Sequence, residues 1–90
     1  MNKTELIAVV AERAEITKKE AELVLQALVD TVSETLATGE KVVITGFGTF
    51  EVRDRVARKG RDPRTGVVID IPAQKTPAFR AGKGLKDAVR

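Results

Sequence analysis

The amino-acid sequence predicts an α+β fold: two N-terminal helices, a three-stranded antiparallel sheet with a long protruding β-hairpin arm, and a short C-terminal helix. Three observations carry that reading. Apolar residues recur at helical spacing through the first 38 residues. From Lys41 to Ala81 the period shortens to two, and glycine and proline mark the turns. One strand then loses its apolar side beyond Arg53, which a strand covered by a core does not do.

The first helix opens at Asn2, a cap residue with Glu5 three positions on, the spacing of a capping box. Leu6, Ile7, Val10 and Ala14 share one face of it. "TKKE", from Thr17 to Glu20, repeats the device and starts the second helix. Ala21, Val24, Leu25, Leu28, Val29, Val32 and Leu36 form its apolar stripe, and Gly39 ends it. That stripe spans roughly 140° of the helix surface, more than one short helix covers, so a sheet face or a second subunit must cover the rest.

"KVVIT" (41–45) reads as a strand, "GFG" (46–48) as a tight turn and "TFEVRDRVAR" (49–58) as the next strand. "GRDPRTG" (60–66) is a turn, and "VVIDI" (67–71) is the strand that returns from it. Pro72 and Pro77 are expected to break the return. "KTPAFRA" (75–81) carries Phe79 back to the core, and a helix from about Gly82 to Val89 closes the chain. Gly84 is a poor helix former, so that helix is expected to start late or fray. All 90 residues form one domain: a base (1–52), the arm (53–75), and the last strand with the C-terminal helix (76–90).

Composition narrows the chemistry. The chain has no cysteine and no histidine, which removes disulfides, the usual metal ligands and the usual general base. No carboxylate pair converges on an evident pocket, so neither an enzyme nor a cofactor is expected. No long apolar run marks a signal peptide or membrane span, and the expected compartment is the cytoplasm. Charge is unevenly placed. Residues 1–52 hold five basic and nine acidic side chains (−4), whereas 53–90 hold eleven basic and four acidic (+7), which together give the net +3. Such a split suits a scaffold half and a half that meets a polyanion.

The arm tip sets Pro63 among Arg58, Lys59, Arg61 and Arg64, with Arg53 and Arg55 upstream. Each arm strand of about seven residues would reach roughly 23 Å. Proline has a rigid ring and no N–H to desolvate, the properties of a wedge between stacked bases; it also commonly shapes turns. The residues by themselves allow both roles.

"GFGTFEVRDRVARKGRDPRTG", the start "MNKTELI" and the segment "PAFRAGK" closely resemble the bacterial HU and integration host factor family of DNA-bending proteins, and the resemblance runs from Met1 to Val89. It implies an intertwined homodimer with a core of Leu6, Leu28, Val29, Val32, Leu36, Ile44, Phe47, Phe50 and Phe79. It implies that Pro63 intercalates, and that Arg53, Arg55, Arg58, Lys59, Arg61 and Arg64 meet phosphates and the minor groove of double-stranded DNA. Lys75, Arg80, Lys83 and Lys86 would line the saddle at the arm base, flanked by Lys3. Nucleoid association and a preference for bent or distorted DNA follow from the same resemblance. Asp62 departs from it, since many members carry asparagine there. Its carboxylate would either weaken binding or pair with a neighbouring arginine. A site-specific relative and an RNA-binding protein are the alternatives. The absence of Tyr and Trp argues against RNA, because single-strand readers stack bases on aromatic rings.

Overall fold

A computed structural model describes every residue from Met1 to Arg90. The elements are α1 (Lys3–Ala14), α2 (Lys18–Ala37), β1 (Val42–Ile44), β2 (Gly48–Arg55), β3 (Arg58–Arg61), β4 (Val68–Ile71), β5 (Gln74–Ala81) and α3 (Lys83–Val89), an α+β chain as the sequence predicts. Contacts divide it within α2 into two compact units, Met1–Glu34 and Thr35–Arg90.

In the first unit, Asn2 Oδ1 accepts the Glu5 N–H at 2.9 Å, so only the first half of the expected capping box forms at α1. Both halves form at α2. Thr17 Oγ1 accepts the Glu20 N–H at 3.1 Å, and Glu20 Oε1 accepts the Thr17 N–H at 3.0 Å. The Thr17 backbone N–H, with help from its side chain, holds the Glu20 carboxyl below the usual carboxylate range, against a small opposing effect of burial. A lowered folded pKa makes this contribution complete above the unfolded value, and it is lost as pH falls through the folded value. Glu20→Gln removes that titration. Its melting midpoint is expected to fall less than that of wild type between neutral and acid pH, and thermal melts at both pH values read the difference.

Between the helices, Glu15 adopts a left-handed conformation (φ 56°, ψ 44°). Its N–H and that of Ile16 return to carbonyls of the last turn, an arrangement usually built on glycine. The apolar residues fully buried along the whole chain are only Ala11 and Ala21, at 5% and 1% exposure.

In the second unit, α2 ends with Gly39 N–H on Leu36 O (2.9 Å) and Glu40 N–H on Thr35 O (3.3 Å), so Gly39 stops the helix as expected. The sheet has the order β1-β2-β5 and is antiparallel. Period-2 alternation places Phe50, Val52, Pro77 and Phe79 on one face of the β2–β5 pair. The Phe79 ring lies 4.8 Å from that of Phe50 and 5.5 Å from that of Phe47. This small aromatic cluster is the expected core, but it is open: Phe79 is 39% exposed and Phe47 45%.

The structure corrects the arm strand. The expected continuous strand 49–58 stops at Arg55 and resumes at Arg58, and the return stops at Ile71 and resumes at Gln74. Register does not slip across the gap, because paired residue numbers add to 129 in both ladders. The gap contains Pro72. Gly82 N–H donates to Phe47 O at 2.7 Å, which makes Phe47 and Gly82 a hydrogen-bonded pair. Such pairs alternate along an antiparallel ladder, so the count from Phe47–Gly82 falls on odd-numbered residues of the outgoing strand, whereas the Asp62–Val67 pair at the tip falls on an even-numbered one: the hydrogen-bond phase changes across the gap, where Pro72 has no N–H to give. The same count puts Val52 opposite Pro77 in a non-hydrogen-bonded pair on an edge strand. Pro77 therefore sits inside β5 and breaks nothing, contrary to expectation.

Gly84 is also corrected. The helix α3 starts directly after its cap, Gly82, and neither starts late nor is displaced by Gly84. Gly84 N–H donates to Gly46 O at 2.9 Å, and a Cβ at position 84 would lie 2.7 Å from that oxygen. The "GFG" turn and α3 therefore meet through bare backbone. Gly84→Ala is expected to destabilise by about 1–3 kcal/mol through overpacking, although alanine is the better helix former. Chemical denaturation checks the sign: a gain near 1 kcal/mol, the propensity difference, would mean that the contact does not constrain the helix.

Candidate nucleic-acid interface

The arm is the hairpin that leaves the sheet beyond Val52, and no residue from Arg53 to Thr76 is fully buried. Arg53 and Arg55 lie on β2, Arg58, Lys59 and Arg61 on β3, and Pro63 and Arg64 at the tip, all exposed. Lys75 and Arg80 are exposed on β5, as are Lys83 and Lys86 on α3. Lys3 belongs to the first unit, where its Nζ donates to Gln26 Oε1 at 3.5 Å, and Gln26 Nε2 in turn donates to Asp30 Oδ1 at 2.9 Å.

Register sorts these cations. Arg53, Arg55 and Arg80 share the polar face of the β2–β5 ladder, opposite the aromatic cluster. Lys75 is on the other face, directly across from Asp54. Further out, Lys59 is directly across from Asp70. Both arm lysines thus face a carboxylate across the ladder. The arginines do not: Arg53 faces Thr76, Arg55 faces Gln74, Arg58 faces Ile71 and Arg61 faces Val68. The nearest acid to an arm arginine is on its own strand, with Glu51 Oε1 at 3.3 Å from Arg53 Nη2. Opposite charges directly across a ladder attract weakly. No ion pair forms across either lysine position, and the single salt bridge is Arg53–Glu51; what the register fixes is that Asp54 and Asp70 stand directly opposite lysines, with Arg61 only diagonal to Asp70. Sequence reasoning counted all these cations alike; the signal that separates them is the sum-to-129 register.

The tip is a closed turn. Asp62 N–H donates to Val67 O at 2.9 Å, Gly66 N–H donates to Asp62 O at 2.8 Å, and Val67 N–H donates to Thr65 Oγ1 at 3.3 Å. Gly66 has φ +74°, the left-handed conformation that ends such a turn. Asp62 Oδ1 accepts the Arg64 backbone N–H at 2.8 Å. The expected alternatives for Asp62 were repulsion from phosphate or a pair with an arginine side chain. Its carboxylate instead bonds main chain, and Arg64 keeps its guanidinium free of it. Pro63 follows, exposed, on the outermost stretch of the hairpin.

A family model described as bacterial DNA-binding protein matches residues 1–90. The chain belongs to this family. It is 61% identical over 90 residues to DNA-binding protein HU of Staphylococcus aureus, covering all of both chains. It is 62% identical to the SPbeta prophage-derived DNA-binding protein HU 2 of Bacillus subtilis, covering all of this chain and 98% of that one. Among solved structures, a cocrystal of Anabaena HU with DNA superposes with a TM-score of 0.92 at 49% identity, over 99% of this chain and 97% of that one. The family resemblance legible in the sequence is thus established, and the fold and its arm are those of the family. These relatives are named for DNA binding and not for a catalysed reaction. No helix is long and apolar enough to cross a membrane.

Proposed function

We propose that this chain is a histone-like, nucleoid-associated protein of the cytoplasm that binds double-stranded DNA without strong sequence preference and bends it. One observation carries the reading: a hairpin with no core of its own presents five exposed arginines along its length and an exposed proline on a closed tip. A solvated strand pair is costly to keep free of apolar cover unless a partner uses it. A polyanion fits the charge, and a two-stranded ribbon enters an opened minor groove. The relatives named for DNA binding, and the DNA-bound neighbour, support the same partner.

The working form is an intertwined homodimer. Leu6, Leu28, Val29, Ile44, Phe47 and Phe79 remain between 38% and 49% exposed in the single chain, while Val32, Leu36 and Phe50 are half-buried. A second copy that covers these residues supplies the core the chain lacks. Lys75, Arg80, Lys83 and Lys86 then form the saddle between two arms, with Lys3 at its flank. Pro63 enters a base step as a wedge. The unstacking, a few kcal/mol, is offset by wrapping the bent DNA on the basic surface. Bent, nicked or gapped DNA binds more tightly because part of the deformation is already made.

The test is a short duplex labelled at both ends for energy transfer and titrated over a salt series. Wild type is expected to bring the ends together, and Pro63→Ala to bind but bend less. Equal bending by both would reduce Pro63 to a turn residue. A wild type that leaves duplex DNA unbound at low salt would overturn the DNA reading and make RNA the next polyanion to examine.

A further inference from the structure

The tip loop has the internal architecture of one helical turn. Asp62 O receives the Gly66 N–H, the i→i+4 bond of a single α-turn. Pro63 occupies its first position, where a missing N–H costs nothing and a fixed φ is an advantage. Gly66 closes it in the left-handed conformation. Asp62 is then its N-cap: Oδ1 accepts the N–H of Arg64, the second residue of the turn, at 2.8 Å. Three polar groups of one residue are committed here. The Asp62 N–H ties the turn to β4 through Val67 O, its carbonyl closes the turn, and its side chain caps it. Asp62 is half-buried although it sits on an otherwise exposed tip.

We propose that Asp62 is the positioning residue for Pro63: by capping the tip turn it holds the proline ring in the orientation that enters the base stack, before DNA is met. The proposal rests on the DNA-bending reading above. An arm strand supplies only the direction of the backbone up to Arg61. Beyond it, the pyrrolidine plane is set by the angles at Asp62 and by whether the turn stays closed. A tip that opens presents proline in many orientations, of which few insert, so each insertion carries the ordering of the loop as an added cost. The carboxylate that looks misplaced beside phosphate thus has a use that needs only an acceptor oxygen, and asparagine supplies the same oxygen without the charge.

The experiment compares wild type, Asp62→Ala, Asp62→Asn and the double variant Asp62→Ala/Pro63→Ala in full-length protein. Two readouts are taken: backbone order at Arg64 and Thr65 in the free protein by nuclear magnetic relaxation, and end-to-end energy transfer on intact and on pre-nicked duplex. Asp62→Ala is expected to loosen Arg64 and Thr65, and to bind intact duplex about fivefold more weakly, the population shift of a lost cap. Its bend on intact duplex falls toward that of Pro63→Ala, while binding to nicked duplex and the thermal midpoint stay near wild type. Asp62→Asn restores both tip order and bending. The double variant bends no less than Pro63→Ala alone, because the two residues act on one step. Wild-type bending by Asp62→Ala would overturn the proposal, as would failure of Asp62→Asn to restore it. If Pro63→Ala itself bends like wild type, the wedge reading fails first and the positioning role falls with it. Loosened order in Asp62→Ala would still establish the cap, and unchanged order would remove it.

Discussion

A dilution of about a hundredfold lowers the apparent stability of this protein by about 2.7 kcal/mol, read as a lower melting midpoint. The expectation follows from what the single chain leaves open. Its only fully buried apolar residues are two alanines, and Leu28 and Val29 on the long helix are 48% and 49% exposed. A chain with that little apolar burial does not offset its conformational entropy alone. Leu28→Ala separates the possibilities sharply. At a half-exposed position of a monomer the substitution changes stability by no more than about 0.5 kcal/mol. At the centre of a dimer core it costs about 2–5 kcal/mol and moves the midpoint further at low concentration. A midpoint that ignores dilution, with Leu28→Ala nearly silent, would mean that the helices are complete without a second copy.

Replacing Arg53, Arg55, Arg58, Arg61 and Arg64 together by alanine flattens the salt dependence of DNA binding by about 4.5 units of slope, at about 0.9 per lost phosphate contact. Affinity at low salt falls accordingly, and folding is nearly unaffected because the arm holds no buried residue. The lysines are expected to differ. Lys59 faces Asp70 and Lys75 faces Asp54 across the ladder. A carboxylate directly across the ladder attracts each lysine weakly, although no ion pair forms, so Lys59→Ala or Lys75→Ala is expected to flatten the slope by less than Arg58→Ala does. Asp70→Asn steepens it. Titrations of one duplex at several salt concentrations measure each slope. Equal slopes for Lys59→Ala and Arg58→Ala would show that the opposed carboxylates leave the lysines unaffected.

Much of this was legible in the chain itself. Capping residues and helical spacing located both N-terminal helices, since those signals act over three or four residues and need nothing distant. The turn at "GFG", the tip at "GRDPRTG" and the closing helix are local in the same way. Loss of the apolar side beyond Arg53 marked the arm, because an uncovered strand has no use for a hydrophobic face. The basic second half pointed to a polyanion, since charge is summed from composition.

What remained hidden depends on residues far apart in sequence. The break in the arm lies where the hydrogen-bond phase set at Phe47 and Gly82 gives way to the opposite phase set at Asp62 and Val67. Gly84 looked like a weak point in a helix; its reason is the carbonyl of Gly46, 38 positions earlier, too close for a Cβ. Asp62 looked like a misplaced charge until its oxygen was found on a backbone N–H of its own turn. Lys59 and Lys75 matched the arginines in type and differed only in what stood across the ladder. Short-range periodicity and composition therefore encode the elements, their order, the arm and the charge it carries. Where the ladder breaks, which cations are opposed and why two apparent defects are fits depend on folding, because each is set by atoms that pairing and turn closure bring together and that residue type does not specify.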